Sequence, residues 1–96
     1  MKIKAKEKDG IIKTKIQIKH KMMTYKQAIK KGVDANFITY IIAKVGEKIV
    51  YELSPSQFLS KNPVLKFKFY GNKGEVLEIE WRDLSGEKVV ESKKIK

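Results

Sequence analysis

The sequence predicts an all-β fold of about seven short antiparallel strands packed as two sheets. Apolar and polar residues alternate with period two in several segments, and turn residues separate these segments at regular intervals. The chain has 96 residues, of which 42% are hydrophobic. A chain of this length builds one hydrophobic core. We therefore expect residues 1–96 to form a single domain.

Four strands are predicted in the first part of the chain. The lysine-rich run at residues 2–8 is typical of a charged edge strand. In Ile12–Lys19, isoleucine and threonine alternate with lysine and glutamine, which gives a strand one buried and one solvated face. Phe37–Val45 is more continuously apolar, as in a strand covered on both faces, and a further strand follows at Lys48–Leu53.

Two alternating segments in the second part, Leu65–Tyr70 and Leu77–Arg82, are interpreted as an antiparallel hairpin. Gly71–Gly74 between them contains residues that tolerate positive φ in a tight turn. The outer face of this hairpin would pair lysines with glutamates, each pair contributing roughly 0.2–1 kcal/mol. The residues concerned are Lys66, Lys68, Glu78 and Glu80.

The remaining segments include one last strand and two connections. Lys88–Ile95 is predicted as the final strand, and it becomes more polar toward its end. Tyr25–Val33 is either one helical turn that stops at Gly32 or a long loop, and we favour the loop. Ser54–Pro63 contains both prolines and is predicted to cross between sheets. The pattern fits a sandwich or a small barrel, and we predict an immunoglobulin-like β-sandwich.

The formal net charge of +11 raises the question of a nucleic-acid or anionic-membrane partner. Arg82 is the only arginine, although arginine is the side chain suited to bidentate phosphate and base contacts. Scattered lysines are more typical of a solvated surface. No run of apolar residues approaches the roughly 18 needed to span a membrane. We therefore predict neither nucleic acid nor membrane as a partner.

The residues that usually support catalysis or metal binding are sparse. The chain has no cysteine, which excludes disulfides, thiolate metal sites and cysteine nucleophiles. His20 is the single histidine, and a hydrolase or lyase that uses it is the weakest hypothesis. Met22 and Met23 follow it, but adjacent side chains on a strand point in opposite directions, so apolar contact is preferred to copper binding. We predict no catalytic, cofactor-binding or metal-binding residues.

The alternative function is a basic small β-barrel that binds single-stranded nucleic acid. The alternation Phe67-Lys68-Phe69 resembles the stacking platforms of such proteins. Alternation, however, places the rings on one face and the lysine on the other, and the rings are more simply explained as core.

Two blocks of the sequence resemble a known family. Ser60–Phe69, followed by a glycine turn and a strand ending at Trp81, resembles the carboxy-terminal half of SoxZ, the Z subunit of the sulfur-oxidation carrier complex SoxYZ. A second block resembles the family's His-Pro-Met-Glu-Thr segment and the strand that follows its loop. Its residues are His20, Met22, Thr24, Ala35, Phe37 and Ile38.

The resemblance implies an immunoglobulin-like, non-catalytic subunit without a cofactor. Its partner would be a SoxY-like subunit whose Gly-Gly-Cys-Gly-Gly arm carries thiosulfate-derived intermediates, and other sulfur-oxidation enzymes would make transient contacts. Without this partner, the chain could form a homodimer. The resemblance also implies a periplasmic location reached by export together with the partner, which would explain why the amino terminus has no apolar signal region.

Methionine and aromatic side chains are common anchors in protein interfaces. On this basis we predict a partner interface at two segments of the chain. Its residues are His20, Met22, Met23, Phe58 and Leu59.

Overall fold

The computed structural model describes residues 1–55 and 59–96. Within them lie seven strands and one helix, which together form a β-sandwich. The elements are β1 (Lys2–Lys8), β2 (Ile11–Gln17), α1 (Tyr25–Lys31), β3 (Ile38–Val45), β4 (Lys48–Leu53), β5 (Val64–Tyr70), β6 (Val76–Asp83) and β7 (Lys88–Lys94).

The strands form two antiparallel sheets. One has the order β1-β2-β5 and the other the order β4-β3-β6-β7. In immunoglobulin lettering these correspond to A-B-E and C′-C-F-G. The predicted all-β, immunoglobulin-like sandwich of about seven antiparallel strands is confirmed, and residues 2–8 form the predicted edge strand.

The core lies between the two sheets and consists of their inward-facing side chains. Ile12, Ile16, Ile41 and Ile79 are fully buried, as period-two alternation requires of the inner face. The Tyr51 ring stacks on a phenylalanine of β5 with centroids 4.2 Å apart and planes 5° from parallel, which joins β4 to the opposite sheet. The end of the chain closes the sandwich, because the Lys96 backbone N–H donates to the carbonyl of Ala5 at 3.0 Å.

The predicted hairpin of β5 and β6 is wrong. Strand β5 pairs with β2, whereas β6 lies between β3 and β7 in the other sheet. The glycine-containing connection carries the chain across the sandwich, and the Gly71 backbone N–H donates to the Gly10 carbonyl at 3.1 Å. Two strands show the same alternation of apolar and polar residues whether they form a hairpin or belong to different sheets. The alternation therefore does not specify which strand pairs with which. As a result, Lys66 faces Lys15 and not a glutamate.

The loop favoured for the segment after β2 is also wrong, because Tyr25–Lys31 forms helix α1. The Thr24 side chain accepts from the Gln27 backbone N–H at 3.2 Å, and the Gln27 side chain accepts from the Thr24 N–H at 3.3 Å. This capping box begins the helix. Gly32 ends it in the left-handed conformation, with φ 66°.

Ser54–Pro63 connects β4 in one sheet to β5 in the other, as predicted for a crossover. None of the helices in the described ranges is long and apolar enough to cross a membrane.

Candidate partner-binding site

The segments with the most varied side-chain chemistry meet at one end of the sandwich, which we call the α1 end. It consists of residues 18–37, the segment 59–63 and the turn between β6 and β7. Two backbone hydrogen bonds between Met23 and Asn36, of 2.6 and 3.0 Å, close the loop that contains α1. The loop is therefore tied to the sandwich at both of its ends.

His20 and Asp83 form a buried pair at the centre of the α1 end. His20 Nε2 lies 3.0 Å from Asp83 Oδ2, and the two side chains are 6% and 0% exposed. The Met22 backbone N–H donates to His20 Nδ1 at 3.0 Å, so Nδ1 is the acceptor and Nε2 carries the hydrogen directed at the carboxylate. The His20 ring also packs edge-on against Trp81, with centroids 5.4 Å apart.

The Asp83 carboxylate accepts three further hydrogen bonds. Ser85 Oγ donates to Oδ1 at 2.7 Å, the Glu87 backbone N–H donates to Oδ1 at 2.9 Å, and Asn36 Nδ2 donates to Oδ2 at 3.1 Å. Burial alone would raise the pKa of Asp83, but the hydrogen bonds from His20, Ser85, Glu87 and Asn36 outweigh it and lower the pKa. The carboxylate thus joins the β6–β7 turn to two segments that are distant in sequence, at His20 and Asn36.

This arrangement differs from a nucleophile–histidine–acid triad. In a triad the histidine contacts the acid through one nitrogen and the nucleophile through the other. Here the second nitrogen of His20 is occupied by the Met22 backbone, and Ser85 contacts the acid. Among the residues that the structure describes, no group of three or more His, Cys, Asp or Glu side chains could hold a metal ion.

The structure places the predicted interface residues in different environments. His20 is 8% exposed and Met22 is 3% exposed, so both belong to the interior. Met22 adopts φ 49°, unusual for a non-glycine residue, and its sulfur accepts from the Ile38 backbone N–H at 3.4 Å. Met23 and Leu59 are half-buried and line a shared cavity. Phe58 lies outside the described residues.

A groove of about 870 Å³ opens beside Met23 at the α1 end. Exposed lysines form its rim. Its other lining residues include Trp81 and two asparagines, with Asp34 and Glu87 as the carboxylates. The rim lysines come from three separate segments. They are Lys19, Lys21, Lys31 and Lys61.

Helix α1 exposes an apolar surface beside this groove, which we call the α1 patch. Ile29 is 84% exposed, and Tyr25 and Val33 are each 53% exposed. Ala28 is the one buried residue of the helix. Leu84, 43% exposed, belongs to the same end because its backbone N–H donates to the Phe37 carbonyl at 3.0 Å.

Sequence reasoning missed the α1 patch because it favoured a loop for this segment. The signal was the pair Thr24 and Gln27, which has capping-box spacing. Once a helix is assigned, the four-residue spacing of Tyr25 and Ile29 places both on one side.

The rings proposed as a nucleic-acid platform lie on the inner side of β5. Phe67 stacks on Tyr51, and Phe67 and Phe69 both pack against the core. They are thus separated from Lys68, which is exposed on the other face. The nucleic-acid alternative is not favoured.

The fold and this site define a class of protein: an immunoglobulin-like β-sandwich with an exposed apolar helix beside a cationic groove. The chain belongs to the SoxZ family, because the family model described as "Sulphur oxidation protein SoxZ" matches residues 1–94. The family resemblance noted in the sequence is thereby confirmed, and with it a role in sulfur oxidation. No curated protein sequence matches the chain.

Proposed function

We propose that this chain is the non-catalytic half of a heterodimeric sulfur-compound carrier. It binds a SoxY-like subunit and presents that subunit's cysteine-containing arm, with its thiosulfate-derived intermediates, to other sulfur-oxidation enzymes. The α1 patch supports this proposal most directly. Helix α1 buries one residue and exposes Tyr25 and Ile29, and Val33 just after the helix is exposed as well, which is typical of a protein-contact surface.

The hydrogen bonds of His20 support a structural role for the one histidine. Both ring nitrogens are engaged, one by Asp83 and one by the Met22 backbone. The pair fixes the segment that leads into α1, and so it positions the α1 patch. A rigid contact surface reduces the entropy lost on binding.

The test is co-expression with a SoxY-like partner, followed by measurement of the dissociation constant for wild type and Ile29→Gln. Burial of an isoleucine side chain contributes roughly 1.5–3 kcal/mol, so Ile29→Gln should weaken the complex by about 10- to 150-fold. Because Ile29 is 84% exposed in the free chain, its replacement should leave the free energy of unfolding nearly unchanged.

Ile49→Gln is the matched control, since Ile49 is an exposed isoleucine on β4, 49% exposed and away from the α1 end. It should bind the partner like wild type. Equal affinities for the two variants would contradict the assignment of the interface. Two wild-type chains that elute separately at micromolar concentration would contradict the heterodimer itself.

We also propose a periplasmic location reached by export with the partner. Cell fractionation with and without the partner gene tests it: the chain should appear in the periplasmic fraction when the partner is present. Equal periplasmic amounts in both strains would argue against export with the partner.

A further inference from the structure

The outer face of the sheet β1-β2-β5 is a dense array of lysines, which we call the lysine face. Seven of its eight lysines are exposed and Lys15 is half-buried. The strand register arranges six of them in two rows across the sheet. The rows are Lys4–Lys15–Lys66 and Lys6–Lys13–Lys68, and Lys2 and Lys8 lie beyond them on β1.

Directly opposed like charges destabilise a sheet, and among the residues that the structure describes no carboxylate side chain of the three strands lies on this face to compensate them. Glu7, the one carboxylate within the three strands, belongs to the inner face and accepts from the Gly10 backbone N–H at 2.9 Å. In the described part of the chain no salt bridge involves a lysine of this face. The array therefore weakens the fold on its own.

The outer face of the other sheet shows how this chain compensates charges elsewhere. Glu80 lies 2.9 Å from Arg82 and 3.4 Å from Lys88. Burial raises the pKa of Glu80, but the hydrogen bonds and charges of Arg82 and Lys88 outweigh it and lower the pKa. Glutamates thus compensate basic side chains on the outer face of one sheet but not on the lysine face. This contrast indicates that the lysine face binds a negatively charged surface from outside the chain.

The lysine face continues into the groove at the α1 end. The Ile18 backbone N–H donates to the Pro63 carbonyl at 3.0 Å, which extends the pairing of β2 with β5 by one position beyond Gln17. The Asn62 N–H donates to the His20 carbonyl at 2.8 Å, one residue out of that register. Ile18 and His20 are nevertheless buried on either side of the exposed Lys19. Alternation then places Lys19, a rim residue of the groove, on the same side as Lys13 and Lys15. One continuous cationic surface joins the lysine face to the site proposed for the partner.

The size and chemistry of the lysine face suit steering more than anchoring. The three strands of seven residues cover an area of about 24 by 10 Å. This area is smaller than the roughly 800 Å² that each partner buries in a standard interface. Lysine is a flexible, strongly hydrated point charge without the bidentate fork of arginine. Such charges at the margin of an interface mainly raise the association rate.

We propose that the lysine face steers an acidic surface of the partner subunit toward the α1 end. The inference rests on the proposed function for its choice of partner. It adds two properties: the partner subunit is acidic where it faces β1, β2 and β5, and the association rate of the heterodimer depends steeply on salt.

The test measures association and dissociation rates of the heterodimer for wild type and two double variants. Lys13→Glu/Lys15→Glu reverses the centre of the lysine face. Lys48→Glu/Lys94→Glu is the control on the other sheet. Each Lys→Glu change removes two charges, so both double variants go from a formal +11 to +7.

At about 20 mM salt the association rate of Lys13→Glu/Lys15→Glu should fall at least about 10-fold, with the dissociation rate within about twofold of wild type. The control should change association by less than about threefold, and at about 0.5 M salt the three proteins should converge as screening removes the long-range attraction. Lys15→Glu alone should not unfold the chain, because it places a carboxylate between Lys4 and Lys66.

Equal association rates for the two double variants would overturn steering. Phosphatidylserine-containing vesicles and a thymidine oligonucleotide serve as further probes. If Lys13→Glu/Lys15→Glu loses binding to either while its association with the partner is unchanged, the face belongs to a membrane or a nucleic acid and the proposal is wrong. Failure of the wild-type chain to form any heterodimer would instead refute the proposed function, and steering with it.

Discussion

Replacing Asp83 with asparagine should destabilise the fold by about 3–6 kcal/mol. The carboxylate accepts two hydrogen bonds on each oxygen, and an asparagine offers one oxygen in place of two. Two bonds to a charged acceptor are then lost, each contributing roughly 1.5–3 kcal/mol. A change of tautomer at His20 would let Nε2 accept from the new asparagine amide. That change is blocked, because Nδ1 already accepts from the Met22 backbone N–H and cannot carry the hydrogen instead.

Urea unfolding followed by fluorescence measures this change, since Trp81 is the only tryptophan and is 5% exposed. For a domain of this size each kcal/mol corresponds to about 4–8 °C in Tm. Asp34→Asn is the control: Asp34 is exposed, and its change should stay within about 0.5 kcal/mol. A loss below about 1 kcal/mol for Asp83→Asn would show that the carboxylate does not hold the α1 end together.

The lowered pKa of Asp83 also predicts the acid dependence of stability. Because the pKa of Asp83 in the folded state lies below its ordinary value of 3.8, the ionised carboxylate stabilises the fold fully above that value. This contribution is lost as the pH falls through the folded pKa. Wild type should therefore lose stability progressively below about pH 4, and Asp83→Asn should lose less over the same range. Parallel acid transitions for the two proteins would exclude Asp83 as their source.

Three further substitutions test packing and backbone geometry by urea unfolding. Thr14→Val removes a hydroxyl that is buried without a partner among the described residues and should stabilise by about 1 kcal/mol, whereas Thr39→Val removes a bond to the Arg82 carbonyl and should not stabilise. Gly32→Ala should destabilise by about 1 kcal/mol because φ is 66°. In Gly71→Ala the new Cβ would lie 3.1 Å from Ile12 Cγ1, so the loss should be similar. If either glycine replacement stabilised the fold, the backbone conformation or close contact described at that glycine would be contradicted. If Thr14→Val did not stabilise the fold, the unpartnered hydroxyl would be contradicted.

Local patterns in the sequence predicted most of the strands and the core. The alternation in Ile12–Lys19 assigned Ile12, Ile16 and Ile18 to the inner face, and all three are buried. Such a prediction needs only the period of a strand and one apolar face. The number and spacing of the strands favoured an immunoglobulin-like sandwich over a barrel, and the family resemblance supplied the role in sulfur oxidation.

The features that depend on contacts distant in sequence were not predictable. His20 and Asp83 are 63 positions apart, and a lone histidine at a strand end gives no sign of its partner. The burial of the Met22 side chain and its positive φ likewise depend on the surrounding fold, and residue type alone does not predict them. Helix α1 was missed for a different reason, because its capping box was visible in the sequence but went unused.

The error in strand pairing concealed the lysine face. A hairpin of β5 and β6 would have set Lys66 and Lys68 beside glutamates and left an ordinary, compensated surface. The actual pairing moves β5 beside β2, so that both lysines meet lysines while Glu78 and Glu80 lie on the other sheet. Because the chain crosses the sandwich at Gly71–Gly74, the lysines of β5 and the glutamates of β6 lie on the outer faces of two different sheets. The net charge of +11 is therefore concentrated on one sheet and the groove beside it. The fold leaves the repulsion between these lysines uncompensated, and binding of an acidic partner would lower it.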